Sequence, residues 1–335
     1  MAGLYDVDRD ALAALLEGEP AYRARQVWEG LYRRALLPDE MTDLPLTLRA
    51  RLSGGLSPAL DERRRRSADD GRTLKWLWRL PDGAEVETVL MRYDRRTTVC
   101  VSSQAGCAMR CGFCATGQGG FARHLTAGEI LEQVLAAARA AAPERVTHVV
   151  FMGMGEPLAN YAAVWAAVER LHDDVGISAR RLTISTVGIV PGIDRLTAAA
   201  LPVNLAVSLH AANDDLRNRL VPVNRRYPLG LLAEACTRYV RTTGRRLSFE
   251  WALIDGVNDR PTDAEELAAY VRPLRAHVNV IPLNPTPGFP ARGTDAEGVA
   301  RFATGLRRLG VNTTVRDTRG VEIDAACGQL AARPA

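Results

Sequence analysis

Three cysteines, Cys107, Cys111 and Cys114, fall within the stretch GCAMRCGFCATGQGG, separated by three and then two residues. Six cysteines in a chain with no secretory features belong in a reducing compartment, where clustered thiols bind metal more often than they pair. A closed structural zinc site takes four ligands, usually as two short spacings, and the nearest fourth here is His124, ten residues beyond Cys114. An iron–sulfur cluster held by only three thiolates instead leaves one iron open to an outside ligand, an asymmetry that serves chemistry rather than scaffolding. The missing fourth cysteine is the informative feature.

Other polar residues recur at the ends of apolar, strand-like runs. Glu156 follows VVFMGMG, Ser185 is late in RLTIST, Ser208 and His210 close LAVSLH, Asn284 closes VIPLN, and the cysteine loop follows TTVCVSS. Singly, each has an ordinary explanation: a turn or cap serine, a hydrogen-bonded core histidine. In a parallel barrel the carboxyl ends of the strands converge on one face, and together these residues form a rim on it. The turn GMGEP is weak alone, although glycine admits close backbone approach and a carboxylate can hold an ammonium group. Its weight comes from lying one strand beyond the cysteine loop.

The elements that must position these residues are legible from Thr97 onward. TTVCVSS, VTHVVFMG, RLTISTVG, VNLAVSLH, RLSFEWALI and HVNVIPLNP alternate with helix-like stretches such as TAGEILEQVLAAARAA, YAAVWAAVERLH and AEELAAYVRPLR. Six such alternations predict an α/β fold, a parallel sheet with helices outside it. A seventh strand-like run, NTTVRDT, precedes the last segment. Upstream, AYRARQVWEGLYRRALL and LPLTLRARLSGGL read as helices, the second closed by Gly54 and Gly55, and LKWLWRL and EVETVLM read as a hairpin about the turn PDG. The expected division is a helical accessory domain over 1–70, a β-hairpin extension over 71–96, a barrel over 97–320 and a C-terminal segment over 321–335.

Composition sets the outer bounds. The chain has 335 residues, 47% hydrophobic, 6% aromatic and 24% charged, which describes a globular protein with material for a full core. No run is long and apolar enough to span a membrane, and the first twenty residues lack a basic region followed by an apolar one, so a cytoplasmic location without membrane attachment is expected. The net charge of +4 is weak support for an acidic partner such as RNA. Lys75 is the only lysine, so the abundance of arginine reflects coding bias as well as any phosphate contact. The run Arg63 to Arg66 reads equally as a solvated face or as an RNA contact.

The cysteine spacing, with Phe113 just before the last cysteine, resembles the signature of the radical S-adenosylmethionine enzymes. The resemblance implies a partial (β/α)6 TIM-like barrel, a 4Fe–4S cluster on Cys107, Cys111 and Cys114, and S-adenosyl-L-methionine on the open iron. It further implies Gly155, Glu156, Ser185, Ser208, Leu209, His210 and Asn284 as the residues around S-adenosylmethionine. CVSSQAGCAMRCGFCATGQGGFARHLTAGEI, VVFMGMGEPLANY, LAVSLHAANDDLRNRLVPVN, HVNVIPLNPTPG and VRDTRGVEIDAACGQLA narrow it. Together they resemble the RlmN family, dual-specificity methyltransferases acting on carbon 2 of adenosine in 23S rRNA and in some tRNAs. The resemblance covers essentially the whole chain, with Ala212 standing where a proline is expected.

By that resemblance Cys327 receives a methyl group from one S-adenosylmethionine, and a second molecule supplies the radical that activates it, two per turnover. Cys100 is implied as the resolving thiol that forms a transient disulfide with Cys327, and Glu87 as the proton acceptor; read alone, Glu87 is an outward strand residue. Cys236, in the helical LLAEACTRYV, reads as a buried small hydrophobe. The implied partners are 23S rRNA and tRNA, a low-potential electron donor of flavodoxin or ferredoxin type, and a dithiol reductant. Arg33, Arg34 and Arg63 to Arg66 are candidates for holding RNA. Two rival readings are a Cfr-like enzyme acting on carbon 8, and a non-catalytic RNA-binding protein with a structural metal.

Overall fold

A computed structural model describes residues 2–331. Its main sheet has ten strands. The first four are antiparallel neighbours: β1 (Asp61–Ala68), β2 (Thr73–Arg79), β3 (Glu85–Tyr93) and β4 (Arg96–Cys100). From β4 the sheet continues in parallel through β5 (His148–Phe151), β6 (Leu182–Thr186), β7 (Asn204–Ser208), β8 (Leu247–Leu253), β9 (His277–Pro282) and β10 (Asn312–Val315). Strand order follows chain order, and β1 and β10 are the two edges. The sheet is therefore open, with the parallel run of strands and helices that the alternating pattern predicts and the partial barrel that the resemblance implies.

Each strand from β4 to β9 is followed by a helix that returns the chain to the next strand. These helices are Ala127–Ala141, Tyr161–Arg170, Val190–Ala198, Leu229–Thr243, Pro261–Val271 and Ala296–Arg308. Crossovers between parallel strands put helices over the sheet, so the strands read as apolar runs. Val149, Phe151, Leu182, Ile184, Leu205, Val207, Phe249 and Val278 are all buried. Cys236 is fully buried among them.

The first helix starts where its sequence says it should. Thr126 accepts from the Glu129 backbone N–H (3.1 Å) and Glu129 accepts from that of Thr126 (2.9 Å), a reciprocal cap. Glu129 also holds Arg123 through two bonds of 2.7 and 2.8 Å, tying the helix to the end of the cysteine loop.

Residues of the upstream helices Arg9–Leu15, Tyr22–Tyr32 and Leu46–Gly55 join the same buried cluster as the barrel helices. Leu12, Val27, Leu31 and Leu52 pack into a core continuous with Ile130 and Val164. Two carboxylates hold this seam. Asp6 accepts from Gly128 N–H (2.9 Å), and Glu132 accepts from Ala59 N–H (2.9 Å) and Leu60 N–H (3.2 Å). Burial pushes the Glu132 carboxyl up to about 7, while those two N–H donors pull it back.

The expected hairpin is present as β2 and β3 around Pro81–Gly83. The difference lies just before it. Residues 61–68, grouped above with the helical region, form β1, the edge of the sheet. Most of β1 is exposed, so it lacks the alternation of buried residues that betrays a half-buried strand; its pairing with β2 supplies the structure. Arg65 lies over the Trp76 ring at 5.4 Å, and the arginines give the edge a charge that discourages further strand addition.

Candidate active site

The cysteine loop leaves the barrel after β4 through a short strand, Gln104–Gly106, which pairs with Phe121–His124. Cys107 N–H donates to the Gly120 carbonyl at 2.6 Å. A side chain on Gly106, at φ +73°, would lie 2.1 Å from that carbonyl, so the close crossing of the loop ends requires glycine. The turn closes with Cys114 N–H on the Cys111 carbonyl (3.1 Å) and leads into the helical turn Ala115–Gln118. This folding turns all three cysteines onto one cavity of about 160 Å³. Burial pushes Cys107 up to about 12 and Cys111 well above the usual thiol range. Protonated, the thiols sit in poor surroundings for thiolates; a cationic metal centre in place of the protons removes that cost.

His124, the possible fourth zinc ligand, does not join them. It is exposed, and its Nδ1 lies 2.9 Å from Gln104 Nε2. Among the described residues no three histidine, cysteine or acidic side chains converge on one metal ion. Thiolates of a cluster bind different irons and need no such convergence.

The rim follows from the strand ends. After β5, Gly153 and Gly155 pass so close to the neighbouring chain that a Cβ would meet Val101 O at 2.6 Å and Gln104 Cβ at 2.5 Å. Glu156 then turns inward and is buried, accepting from Leu158 N–H (3.0 Å) and Val187 N–H (2.8 Å). Burial pushes its carboxyl up to about 7 against those bonds. Two backbone donors fix its orientation in the cavity wall.

Ser185, Ser208, His210 and Asn284 line the same cavity, as does Gly155. His210 accepts from Ala252 N–H at Nδ1 (2.9 Å), which leaves the ring proton on Nε2. Burial, with Arg217 nearby, pushes its pKa down to about 3, so the ring is neutral; its edge meets Phe113 with centroids 4.7 Å apart. Leu209 is fully buried away from the cavity, and only its backbone is engaged, on Glu250 O and Arg217 Nε. The strand ends at Ser208; beyond it Leu209 packs into the core, and His210, at φ +60°, turns its ring into the cavity.

Cys100 and Cys327 lie far apart in the chain and share a second, smaller cavity of about 30 Å³. Cys327, Asn284, Arg316 and Met152 line both cavities, whereas Cys100 lines only the smaller. Asn284 Nδ2 donates to the Cys327 carbonyl (3.0 Å), and Ala115 N–H donates to the Gly328 carbonyl (2.8 Å), so the C-terminal segment rests on the cysteine loop. Burial, then the neighbouring Cys327, pushes Cys100 up to about 12.

Glu87 lines neither cavity. It is paired with Lys75 at 2.9 Å and accepts from Ala331 N–H at 2.9 Å. Two charged cavity residues escaped the sequence reading. Glu250, a lone carboxylate inside the apolar run RLSFEWALI, was legible as an anomaly there; it accepts from Asn279 Nδ2 at 2.8 Å. Arg316 pairs with Glu250 at 3.4 Å, its side chain 29% accessible, and carried no periodic signal.

The chain's resemblances agree with this geometry. Residues 101–269 match the description Radical SAM superfamily. "Probable dual-specificity RNA methyltransferase RlmN" from Parafrankia sp. (strain EAN1pec) is 52% identical, covering 100% of this chain and 92% of its own length. The protein of that name from Chloroflexus aurantiacus is 51% identical over 98% of this chain and 93% of its own. The chain belongs to the RlmN family. A solved structure, a radical SAM methyltransferase from Sphaerobacter thermophilus, is similar with a TM-score of 0.95 at 53% identity, covering 99% of this chain and 100% of that one.

Membership of the RlmN family within the radical SAM superfamily makes the chain a radical SAM RNA methyltransferase, and implies a 4Fe–4S cluster and S-adenosylmethionine. The residues present fit both groups: three inward thiols on one cavity wall, and beside them a glycine cradle, an oriented carboxylate and polar rim groups. No helix among the described residues is long and apolar enough to cross a membrane.

Proposed function

We propose that this chain methylates carbon 2 of adenosine in 23S rRNA and in tRNA next to the anticodon, using Cys327 as methyl carrier and Cys100 as resolving thiol. Cys107, Cys111 and Cys114 would hold the cluster, and Gly155, Glu156, Ser185, Ser208, His210 and Asn284 the S-adenosylmethionine; Leu209, also expected there, packs into the core with its backbone bonded to Glu250 and Arg217. When bound, these groups supply a transferable methyl and, on one-electron reduction, a hydrogen-abstracting radical. Two S-adenosylmethionine molecules are used per turnover, and the electron comes from a flavodoxin- or ferredoxin-type donor.

Carbon 2 of adenine is not nucleophilic, so a methyl group cannot reach it by simple displacement. Cys327 Sγ takes the methyl by displacement, and loss of one hydrogen atom from that methyl leaves a carbon radical on the thioether. The radical adds to carbon 2; the adduct then gives its carbon-2 proton to Glu87 and one electron to the oxidised cluster that Cys107, Cys111 and Cys114 would hold, which leaves a closed-shell thioether between Cys327 and the base. Cys100 Sγ then attacks Cys327 Sγ: a disulfide forms, the bond from Cys327 Sγ to carbon breaks, and the methylated base is released after protonation of that carbon. A dithiol reductant returns both thiols.

The single observation that supports this reading is the shared cavity of Cys100 and Cys327, a pairing with no use in an ordinary methyltransferase. In the same reading the chain divides into residues 1–70, 71–96, 97–320 and 321–335, with RNA held outside the barrel mouth so that the target base can leave its stack. Of the candidate RNA contacts, Arg63 and Arg65 lie on the exposed edge β1. Arg33 and Arg34 donate to Asp173 O and Asp43, much as Arg63 and Arg65 pair with Asp61 and Glu62. Mass spectrometry of total RNA from cells with and without the gene tests the proposal: loss of 2-methyladenosine supports it, and loss of 8-methyladenosine alone refutes it.

A further inference from the structure

Forty-three basic residues include a single lysine, Lys75, in a chain that otherwise uses arginine. It sits on β2, 6% exposed, and pairs at 2.9 Å with Glu87 on β3, 2% exposed. A buried ion pair recovers its desolvation cost only when further hydrogen bonds satisfy both groups. Here those bonds leave the sheet. Lys75 Nζ donates to the Asp324 carbonyl (3.0 Å), and Glu87 Oε2 accepts from Ala331 N–H (2.9 Å). Asp324 and Ala331 bracket Cys327.

The bracketed stretch has almost no structure of its own. A single helical turn, Val321–Ile323, precedes it, and Asp324 is held at φ +55°, a conformation that a non-glycine residue adopts only when its surroundings impose it. Its middle is fastened to the cysteine loop and to Asn284. Its two ends are fastened to one ion pair. A compact ammonium with rotatable donors fits between a carboxylate and a carbonyl, where a planar guanidinium would need more room, which gives a reason for lysine at this one place.

We propose that Lys75 is the positioning residue for the Cys327 segment: with Glu87 it forms a latch that pins residues 324–331 at both ends against the cavity. This deepens the proposed function and rests on it in taking Cys327 as the methyl carrier. If Glu87 takes the proton from carbon 2, the latch loses its anion at the step before the disulfide forms, and the segment is freed to move Cys327 toward Cys100.

The test uses the full chain, reconstituted anaerobically with its cluster. Lys75→Met should raise amide hydrogen exchange across 324–331 by about tenfold or more, the size expected for losing a charged hydrogen bond, with the barrel strands unchanged. Alkylation of Cys327 by iodoacetamide should quicken in step. In S-adenosylmethionine turnover, methyl on the Cys327 peptide should fall while 5′-deoxyadenosine is still released. Lys75→Arg should recover part of the protection.

Lys75→Met leaves Glu87 buried without its cation, so the double variant Lys75→Met/Glu87→Leu decides between latch and framework. It removes both charges so that neither is left buried unpaired, and its melting temperature should return toward that of the wild type while exchange across 324–331 stays fast. Wild-type exchange and wild-type Cys327 labelling in the double variant overturn the latch. A wild-type enzyme that never carries methyl on Cys327 instead overturns the methyl-carrier reading, a result separate from the exchange data.

Discussion

The two sets of cysteines in this chain are built in opposite ways. Cys107, Cys111 and Cys114 lie on one loop, and a few local bonds, from Cys107 to Gly120 and from Cys114 to Cys111, suffice to aim them at one cavity. Cys100 and Cys327 belong to β4 and to the C-terminal segment, and they share a cavity only because that segment is folded back against the barrel. The contrast separates a site written in spacing from a site written in topology. Damage to the first should be all-or-none, whereas damage to the second should stop the reaction at identifiable stages.

The largest expected effect falls on the local set. Alanine at Cys107, Cys111 or Cys114 removes a proposed cluster ligand that His124 is not placed to replace, and iron content and S-adenosylmethionine cleavage should both drop to background. That is more than the roughly 10–100-fold cost typical of losing an outer partner of a ligand. Full iron and activity in any one variant would break the comparison at its root.

Next come the paired thiols. Cys100→Ala should still methylate Cys327 and still attack RNA, but should stall as a covalent conjugate that survives denaturation and reducing agent, because a thioether is not reducible. A slow, RNase-sensitive band on denaturing gels is expected for Cys100→Ala and absent once Cys327 is also changed to Ala. Free product at normal yield from Cys100→Ala removes the resolving role.

Smaller is the effect of Glu156→Gln, which keeps the shape but loses the charge facing the cavity. About 2 kcal/mol of charge-assisted bonding is at stake, so KM for S-adenosylmethionine should rise roughly thirtyfold. An unchanged KM measured by 5′-deoxyadenosine release would take Glu156 out of the binding set.

The smallest effect probes the frame that carries both sets. Glu132 has its folded pKa raised to about 7 by burial, above the model-peptide value near 4.5, so between those values the folded state binds more protons than the unfolded one. Its contribution to stability is thus complete below about 4.5 and is lost as pH rises through about 7. Relative to Glu132→Gln, the wild type should lose up to ~1.4 kcal/mol per pH unit across that window, read from denaturant melts. Parallel stability curves for the two proteins would show that Glu132 does not titrate there.

The sequence by itself determined the six strand–helix alternations and the cysteine loop, because apolar periodicity and ligand spacing are local quantities that survive without coordinates. It also placed Glu156, Ser185, Ser208, His210 and Asn284 at strand ends, and the cavity gathers all five. It did not reveal β1, whose exposed arginines carry no alternation, nor that Leu209 turns away from the cavity its neighbours line. Arg316 and Lys75 were opaque for a deeper reason. A charged residue is defined by what it meets: Arg316 meets Glu250, 66 residues away, and Lys75, besides Glu87 across its own hairpin, meets the backbone of Asp324, 249 residues on. Only the tertiary structure could decide that the one lysine, the nearest carboxylate and the last cysteine segment form a single assembly, because burial and hydrogen bonding across that distance exist only once the sheet and the chain end have been brought together.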